Sequence, residues 1–198
     1  MSIVKKAPWL PYSYDLHEFS RFGMSTSCDP QLIMSPKEMV DKIFKKKPIN
    51  RYSPLTMILW LRRFSKNADY YINKAEKKIG KKNHEFLRIY IDVIIQSSIG
   101  KFFNYKFKSS ILWEYYLLSK NKKVGEEALN NYLKARNAWN VAAEISKKYY
   151  LPDLSYGPQS WLRGRWDDRL PAIVEDINYM KKSLIQNTKI CLLYTSPS

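Results

Sequence analysis

Apolar residues recur at helical spacing along most of this chain from residue 35 onward. Ser35-Pro36-Lys37-Glu38 has the form of a capping box with proline at the first helical position, so it predicts a short helix over about 36–46. Ser53-Pro54 repeats the cap and the proline, and it predicts a second helix that ends at Gly80. The apolar stripe that predicts the buried face of this second helix is Leu55, Ile58, Trp60, Leu61, Phe64, Ala68, Tyr71, Ile72, Ala75 and Ile79.

The third predicted helix is long and central. It begins near Asn83 and meets no helix breaker before Lys120, which at 1.5 Å per residue makes it on the order of 50 Å long. Its middle, residues 86–107, is apolar nearly all round, a pattern typical of a helix that is packed on several sides. Ser97 and Gly100 are small, so they predict a close approach of a neighbouring helix at this point.

Two further helices are predicted over about 126–148 and about 168–186 from the spacing of their apolar residues. No segment alternates apolar and polar residues over a useful length, so no sheet is predicted. Leu117–Ala143 resembles one tetratricopeptide-type hairpin, but a repeat array needs about three copies and the sequence contains no second one. The expected fold is therefore all-α, a bundle of about five helices formed by residues 35–189.

Both ends of the chain depart from the helical pattern. Residues 1–34 are expected to form an irregular N-terminal segment because prolines punctuate it. We expect this segment to dock either on these helices or on a preceding domain, because it is strongly aromatic. Its aromatic and leucine side chains include Trp9, Leu10, Tyr12, Tyr14, Phe19 and Phe22. Residues 190–198 resemble the translation of a sequencing adaptor, so we expect the native sequence to be cut off near Ile190 and the native C-terminus to be missing.

The net charge of +16 invites a nucleic-acid interpretation. However, 25 of the 34 basic residues are Lys, and Lys shares A/T-rich codons with the abundant Asn, Ile and Tyr. The lysines also fall in short dispersed clusters, mostly at helix ends, where a cation favours the helix dipole. We therefore interpret the basic residues as a solvated surface and do not expect a nucleic-acid partner. A basic nucleic-acid binder is kept as the third hypothesis for the function.

Other function classes find little support in the sequence. No run of about 18 apolar residues occurs, so no membrane span is expected, and the first residues show no secretory signal. Cys28 and Cys191 are far from each other, and His17 and His84 make no zinc spacing with them. We expect no metal, no cofactor and no catalytic residue within this chain, and the sequence leaves its cellular location open.

The segment from Pro152 to Arg169 is the richest in chemistry. Its candidate substrate-binding residues are Trp161, Arg163, Arg165, Trp166, Asp167, Asp168 and Arg169. Tryptophan faces suit the C–H groups of a sugar, and Asp and Arg can bond hydroxyls and carboxylates. The alternative is an internal clasp, in which Arg163 or Arg165 pairs with Asp167 or Asp168 and the tryptophans cover the bundle. One of the two aspartates could instead cap the last helix.

Asp92 and Gln96 lie one turn apart in the most apolar part of the third helix. Buried polar groups must find partners, so we expect these two residues to enter a structural hydrogen-bond network. A single carboxylate in such a position is more often an anchor than a general acid.

Three stretches taken together resemble the C-terminal helical region of large bacterial carbohydrate-active proteins. These stretches are 92–103 with Lys106, Tyr132–Trp139 and Gly157–Ile173. The family pattern has His where this chain has Arg165, and this departure weakens any functional role that the resemblance assigns to that position. It implies a non-catalytic helical module in a protein with a family-twenty-hydrolase-like N-terminal domain and a glycoside-hydrolase-like barrel. The implied partner is then the missing catalytic domain of the same chain, with carbohydrate as the ligand class. The hypothesis from a different class is a helical scaffold or protein-interaction module.

Overall fold

The computed structural model describes residues 31–81, 83–155 and 163–194. Within these ranges it confirms the predicted all-α fold. The five α-helices are α1 (Pro36–Phe44), α2 (Pro54–Ile79), α3 (His84–Ser119), α4 (Lys122–Tyr149) and α5 (Leu170–Tyr194). The 36-residue α3 is the central helix, since it packs against α1, α2 and α4, while α5 packs on α4. None of the helices in the described part of the chain is both long and apolar enough to cross a membrane.

The first three helices begin at the caps that the sequence predicts, and α2 ends at the predicted Gly80. Ser35 Oγ accepts the backbone N–H of Glu38 at 3.2 Å, and Ser53 Oγ accepts the N–H three positions along at 3.4 Å. Asn83 caps α3 in the same way, at 2.9 Å. Gly80 ends α2 with a φ of +77°, a conformation that favours glycine. These local bonds satisfy backbone donors that every helix start leaves unpaired.

Two helix starts differ from the prediction. The fourth helix begins at Lys122 and not near 126, because the Asn121 side chain accepts the N–H of Lys123 at 3.1 Å and acts as the N-cap. The last helix begins at Leu170 because a short 3-10 helix occupies Trp166–Arg169. It continues to Tyr194, past the predicted end at about 186.

The main core lies where α3, α4 and α5 meet. It is built from aromatic side chains that pack against alanines of α4 and aliphatic residues of α5. Its buried members are Phe102, Trp113, Tyr116, Ala128, Tyr132, Ala135, Trp139, Ile173, Ile177, Met180 and Leu184. The alanines leave room for the large rings, so the two longest helices can approach closely.

A neighbouring helix approaches α3 closely at Gly100, as the sequence predicts, and that neighbour is α2. A Cβ added to Gly100 would lie 2.4 Å from Ser65 Oγ, so only glycine fits there without a shift. Beside it, Ser97 Oγ donates to Asp69 Oδ1 at 2.5 Å, and Lys101 Nζ lies 2.5 Å from the other oxygen of that carboxylate. One turn further, the Asn104 amide donates to the carbonyl of α2 at Ile58, at 2.6 Å. Buried polar bonds thus fix the position of α2 on α3.

The prediction that the whole apolar stripe of α2 is buried is wrong. Ile58 and Ile72 are buried together with Ser65, and these three residues recur every seventh position on the side that faces α3. Several other members of the stripe are exposed, namely Leu55, Trp60, Phe64, Tyr71 and Ile79. Helical periodicity predicted one face, but α2 packs chiefly on a single neighbour and buries only a narrow line of contacts.

Candidate functional site

The tryptophan- and arginine-rich segment returns to the bundle through a short pair of strands. Strands β1 (Leu154–Ser155) and β2 (Arg163–Gly164) are antiparallel, with Leu154 opposite Gly164. A two-residue ladder is too short for an alternating pattern, which is why the sequence predicted no sheet here. Trp161 lies outside the described residues, and its predicted substrate-binding role stays a prediction.

The charged groups after β2 bond mainly to one another. Arg165 Nε lies 3.1 Å from Asp167 Oδ1. Asp168 Oδ2 accepts the backbone N–H of Arg165 at 2.7 Å, and its own N–H donates to the carbonyl of Arg165 at 3.2 Å. Asp168 therefore closes the turn that leads into the 3-10 helix, and Arg169 ends that helix, half-buried. The geometry is that of an internal clasp, although an ion pair this exposed contributes about 0–1 kcal/mol.

Trp166 provides the firm attachment of this segment. Its carbonyl accepts the indole N–H of Trp139 at 2.8 Å, and the two rings meet edge to face with their centroids 5.4 Å apart. Trp139 is itself buried and stacks edge to face on Phe102, at 4.8 Å. Trp166 also packs against the second core cluster, formed by Ile91, Ile95 and Ala142. One half-buried indole thus joins the start of α5 to both clusters of the bundle.

Asp92 and Gln96 do not lie where the sequence predicted. Both are exposed, because the neighbouring Ile91 and Ile95 take the buried face of this part of α3. Asp92 still has a structural partner, since its carboxylate accepts the hydroxyl of Tyr150 at the end of α4. Partial burial, together with this bond, raises the pKa of Tyr150 to about 12.

The polar cluster that sequence reasoning missed lies in the main core. Lys106 of α3 is 5% exposed, Asp176 of α5 is 7% exposed and Tyr132 of α4 is fully buried. The Tyr132 hydroxyl donates to Asp176 Oδ2 at 2.8 Å. Burial lowers the pKa of Lys106 to about 8, and the negative charge of Asp176 offsets part of that effect. The Lys106 ammonium also lies 5.7 Å from the centroid of the Phe102 ring.

This Lys–Tyr–Asp cluster takes one side chain from each of three helices. Catalytic lysines often have a pKa that is lowered toward neutrality, as that of Lys106 is. Here the burial of all three groups leaves no face of the cluster open to a substrate, so it acts as a polar anchor between helices. The sequence signal that could have predicted this cluster is the helical spacing of α3, because Lys106 lies on the apolar face between Phe102 and Trp113.

Among the described residues, no three His, Cys, Asp or Glu side chains group closely enough to hold a metal ion. Comparisons with known protein families, with curated proteins and with solved structures give no match to this chain. The fold and the described contacts define a class: an all-α bundle with a tryptophan-anchored segment that fastens its last helix.

Proposed function

We propose that this chain is an accessory helical module, without catalytic activity of its own, of a larger polysaccharide-processing glycoside hydrolase. The observation that carries the proposal is the Trp139–Trp166 contact with its 2.8 Å hydrogen bond. The motif on which the resemblance to carbohydrate-active proteins chiefly rests contains Trp166, Asp168 and the start of α5. A motif that fastens a helix to its bundle supports a structural module.

The chemistry of glycoside hydrolysis also supports a non-catalytic role for this chain. Hydrolysis of a glycosidic bond needs two carboxyl groups roughly 5–10 Å apart on either side of an open cleft. In the tryptophan-rich segment, Asp167 pairs with Arg165 and Asp168 closes a backbone turn. Asp176 is enclosed in the core with Lys106 and Tyr132. These carboxylates are engaged in bonds within the bundle, which supports the proposal that the catalytic pair lies in a barrel elsewhere in the same protein.

The test is to obtain the gene sequence on both sides of this region and to express the full reading frame. We expect a barrel domain with paired carboxylates in the same frame, and activity on an oligosaccharide that the 198-residue chain lacks. Trp166→Ala in the full-length enzyme should reduce the amount of folded enzyme and leave KM unchanged. A reading frame that does not extend beyond this region, or one that encodes no hydrolase barrel, would contradict the proposal and favour a helical scaffold.

A further inference from the structure

The outward side of α2 presents a continuous exposed surface of aromatic, amide and basic side chains. Two neighbouring rows run along the helix, and each row has the alternating spacing of four and three residues that keeps side chains on one side of an α-helix. Every member of both rows is exposed. The first row is Trp60, Phe64, Asn67, Tyr71, Lys74 and Lys78. The second row is Leu59, Arg63, Lys66, Tyr70, Asn73 and Lys77. We call these twelve residues the outer face of α2.

Large apolar rings occupy much of the outer face. Phe64 is 63% exposed, Tyr71 is 64% exposed and Trp60 is 42% exposed. Because α2 packs chiefly on α3, these rings lie on a side of the helix that the bundle leaves open. Singly exposed apolar residues are ordinary, but a row of exposed rings is typical of a binding surface.

The outer face is also basic, since five of its twelve residues are Lys or Arg and none of the twelve carries a carboxylate. Two of the five lie in the last turn of α2, where the helix dipole favours a cation. Arg63, Lys66 and Lys74 lie in the interior of the helix, where the dipole gives a cation no advantage. Among the described residues, the ion pairs of α2 are Asp69 with Lys101 and Glu76 with Lys81, so no carboxylate neutralises these three cations.

The opposite side of α2 holds the outer face in one position. The Ser97 hydroxyl donates to Asp69 at 2.5 Å, and the Asn104 amide donates to the carbonyl of Ile58 at 2.6 Å. The close contact at Gly100 leaves α2 little room to shift on α3. A surface that is fixed in this way loses little conformational freedom when it binds a ligand.

The outer face is long and linear. From Trp60 to Lys78 it extends over roughly 27 Å along the helix axis. Along that axis Trp60 and Phe64 are roughly 6 Å apart, and Phe64 and Tyr71 are roughly 10 Å apart. These separations are comparable with one and two sugar units of an extended polysaccharide chain.

The composition of the outer face distinguishes between possible occupants. A second copy of the chain would bring two sets of five cations together, which like-charge repulsion opposes. A partner helix needs an apolar seam, but Asn67 interrupts the first row and the last two members of that row are lysines. A linear sugar polymer that carries carboxylates fits all three kinds of side chain. Rings pack on sugar C–H groups, amides bond hydroxyls, and cations bond carboxylates.

We propose that the outer face of α2 is a binding site for a linear acidic polysaccharide, a polymer of uronic-acid sugars. The rings of Trp60, Phe64 and Tyr71 pack against the sugar units, and Lys74 and Lys78 bond the carboxylates of the polymer. The choice of a sugar polymer over a nucleic acid rests on the proposed function. Within that function, the outer face is a polymer-binding surface of the accessory module.

Calorimetric and NMR titrations of the 198-residue chain with hexagalacturonate, an oligomer of galacturonic acid, test the proposal. We expect the amide resonances of residues 59–78 to shift, and we expect the neutral cellohexaose to bind about tenfold more weakly at the same salt concentration. Trp60→Ala/Tyr71→Ala should weaken the binding of hexagalacturonate about tenfold. Tyr179→Ala removes a ring of similar exposure on α5, so this control should bind like the parent.

The salt dependence of binding tests the role of the cations. Lys74→Gln/Lys78→Gln should weaken the binding of hexagalacturonate and make it less sensitive to salt, because fewer counter-ions are released. Lys181→Gln/Lys182→Gln, at two exposed positions of α5, is the matched control and should leave both the affinity and its salt dependence unchanged.

Four results would overturn the proposal. The first is the absence of hexagalacturonate binding, and the second is a set of shifts that lies outside residues 59–78. The third is tighter binding of a uridine oligonucleotide at the same residues, which would identify a nucleic-acid site. The fourth is binding that polyglutamate reproduces and that Trp60→Ala/Tyr71→Ala leaves unchanged, which would show nonspecific attraction between charges.

Two further measurements keep the test decisive. If a thermal melt shows Trp60→Ala/Tyr71→Ala to be unfolded, Phe64→Ala tests the same row with a single change at an exposed position. The titrations use this chain alone, whereas the proposed function is tested on the extended reading frame. A hydrolase barrel in that frame without hexagalacturonate binding would therefore contradict only the site on α2, and binding without a barrel would contradict only the proposed function.

Discussion

Replacing Lys106 by Met tests whether a charged amine is held in the core. Methionine fills nearly the same volume as lysine but has no titratable group, so the variant lacks the titration of the buried amine. Burial lowers the pKa of Lys106 from 10.5 to about 8 in the folded protein. The unfolded chain therefore binds more protons than the folded chain between those two values.

Because the folded-state pKa of Lys106 lies below its unfolded value, its contribution to the free energy of unfolding rises with pH across the window from about 8 to 10.5. One pKa unit corresponds to about 1.4 kcal/mol, so the parent should gain about 2–3 kcal/mol relative to Lys106→Met between pH 7 and pH 10. Other titrating groups largely cancel in this comparison.

The assay is urea unfolding of parent and variant at pH 7, 8, 9 and 10, followed by circular dichroism. Lys108→Met, an exposed position two residues along α3, is the matched control for the loss of a lysine. A difference between parent and Lys106→Met that stays level from pH 7 to pH 10 would refute the assignment of Lys106 to a buried, destabilised charge. A difference that moves in the opposite direction would refute it as well.

Two other substitutions probe contacts that the structure defines closely. Gly125→Ala should destabilise the fold by about 1 kcal/mol in chemical denaturation. The new Cβ would lie 2.5 Å from Leu184 Cδ2 and 3.0 Å from the Tyr116 ring. This crowding outweighs the gain in helix propensity that alanine brings. The cost should shrink in a Leu184→Ala background, and an undiminished cost there would count against the contact. Asp92→Asn should lower the pKa of Tyr150 from about 12 toward 10.0, as followed by NMR of the tyrosine ring, and an unchanged value would show that their hydrogen bond does not form.

Local signals in the sequence were enough to predict the helices and one crossing. Ser53 and Gly80 mark the ends of α2 because capping bonds and a positive φ depend on one or two residues. Gly100 predicted the close approach of a neighbouring helix because it has no side chain, and the structure shows that the neighbour is α2, whose Ser65 fills the space. Such features need no knowledge of the tertiary structure.

The faces of the helices were harder to predict because they depend on which neighbours are present. The α2 stripe that includes Phe64 looks buried by periodicity, yet α2 has one main neighbour and leaves much of the stripe exposed. Similarly, the side of α3 that faces its neighbours carries Ile91, and Asp92, the next residue along the helix, lies on the surface. For the candidate site, both the clasp and the sugar-binding wall fitted the sequence. The position of Trp139 beneath Trp166, together with the pairing of Arg165 with Asp167, favours the clasp.

The most direct test of the account is the stability of Trp166→Ala, measured together with an NMR titration of the parent with oligosaccharides. Since Trp166 is half-buried against Trp139, we expect a loss of about 3 kcal/mol, at the lower end of the range for a buried aromatic. At this chain length that loss lowers the Tm by roughly 6–12 °C. No resonance between Gly164 and Leu170 should move when a sugar is added. A variant that melts like the parent, combined with sugar-dependent shifts in that segment, would contradict the structural role assigned to it.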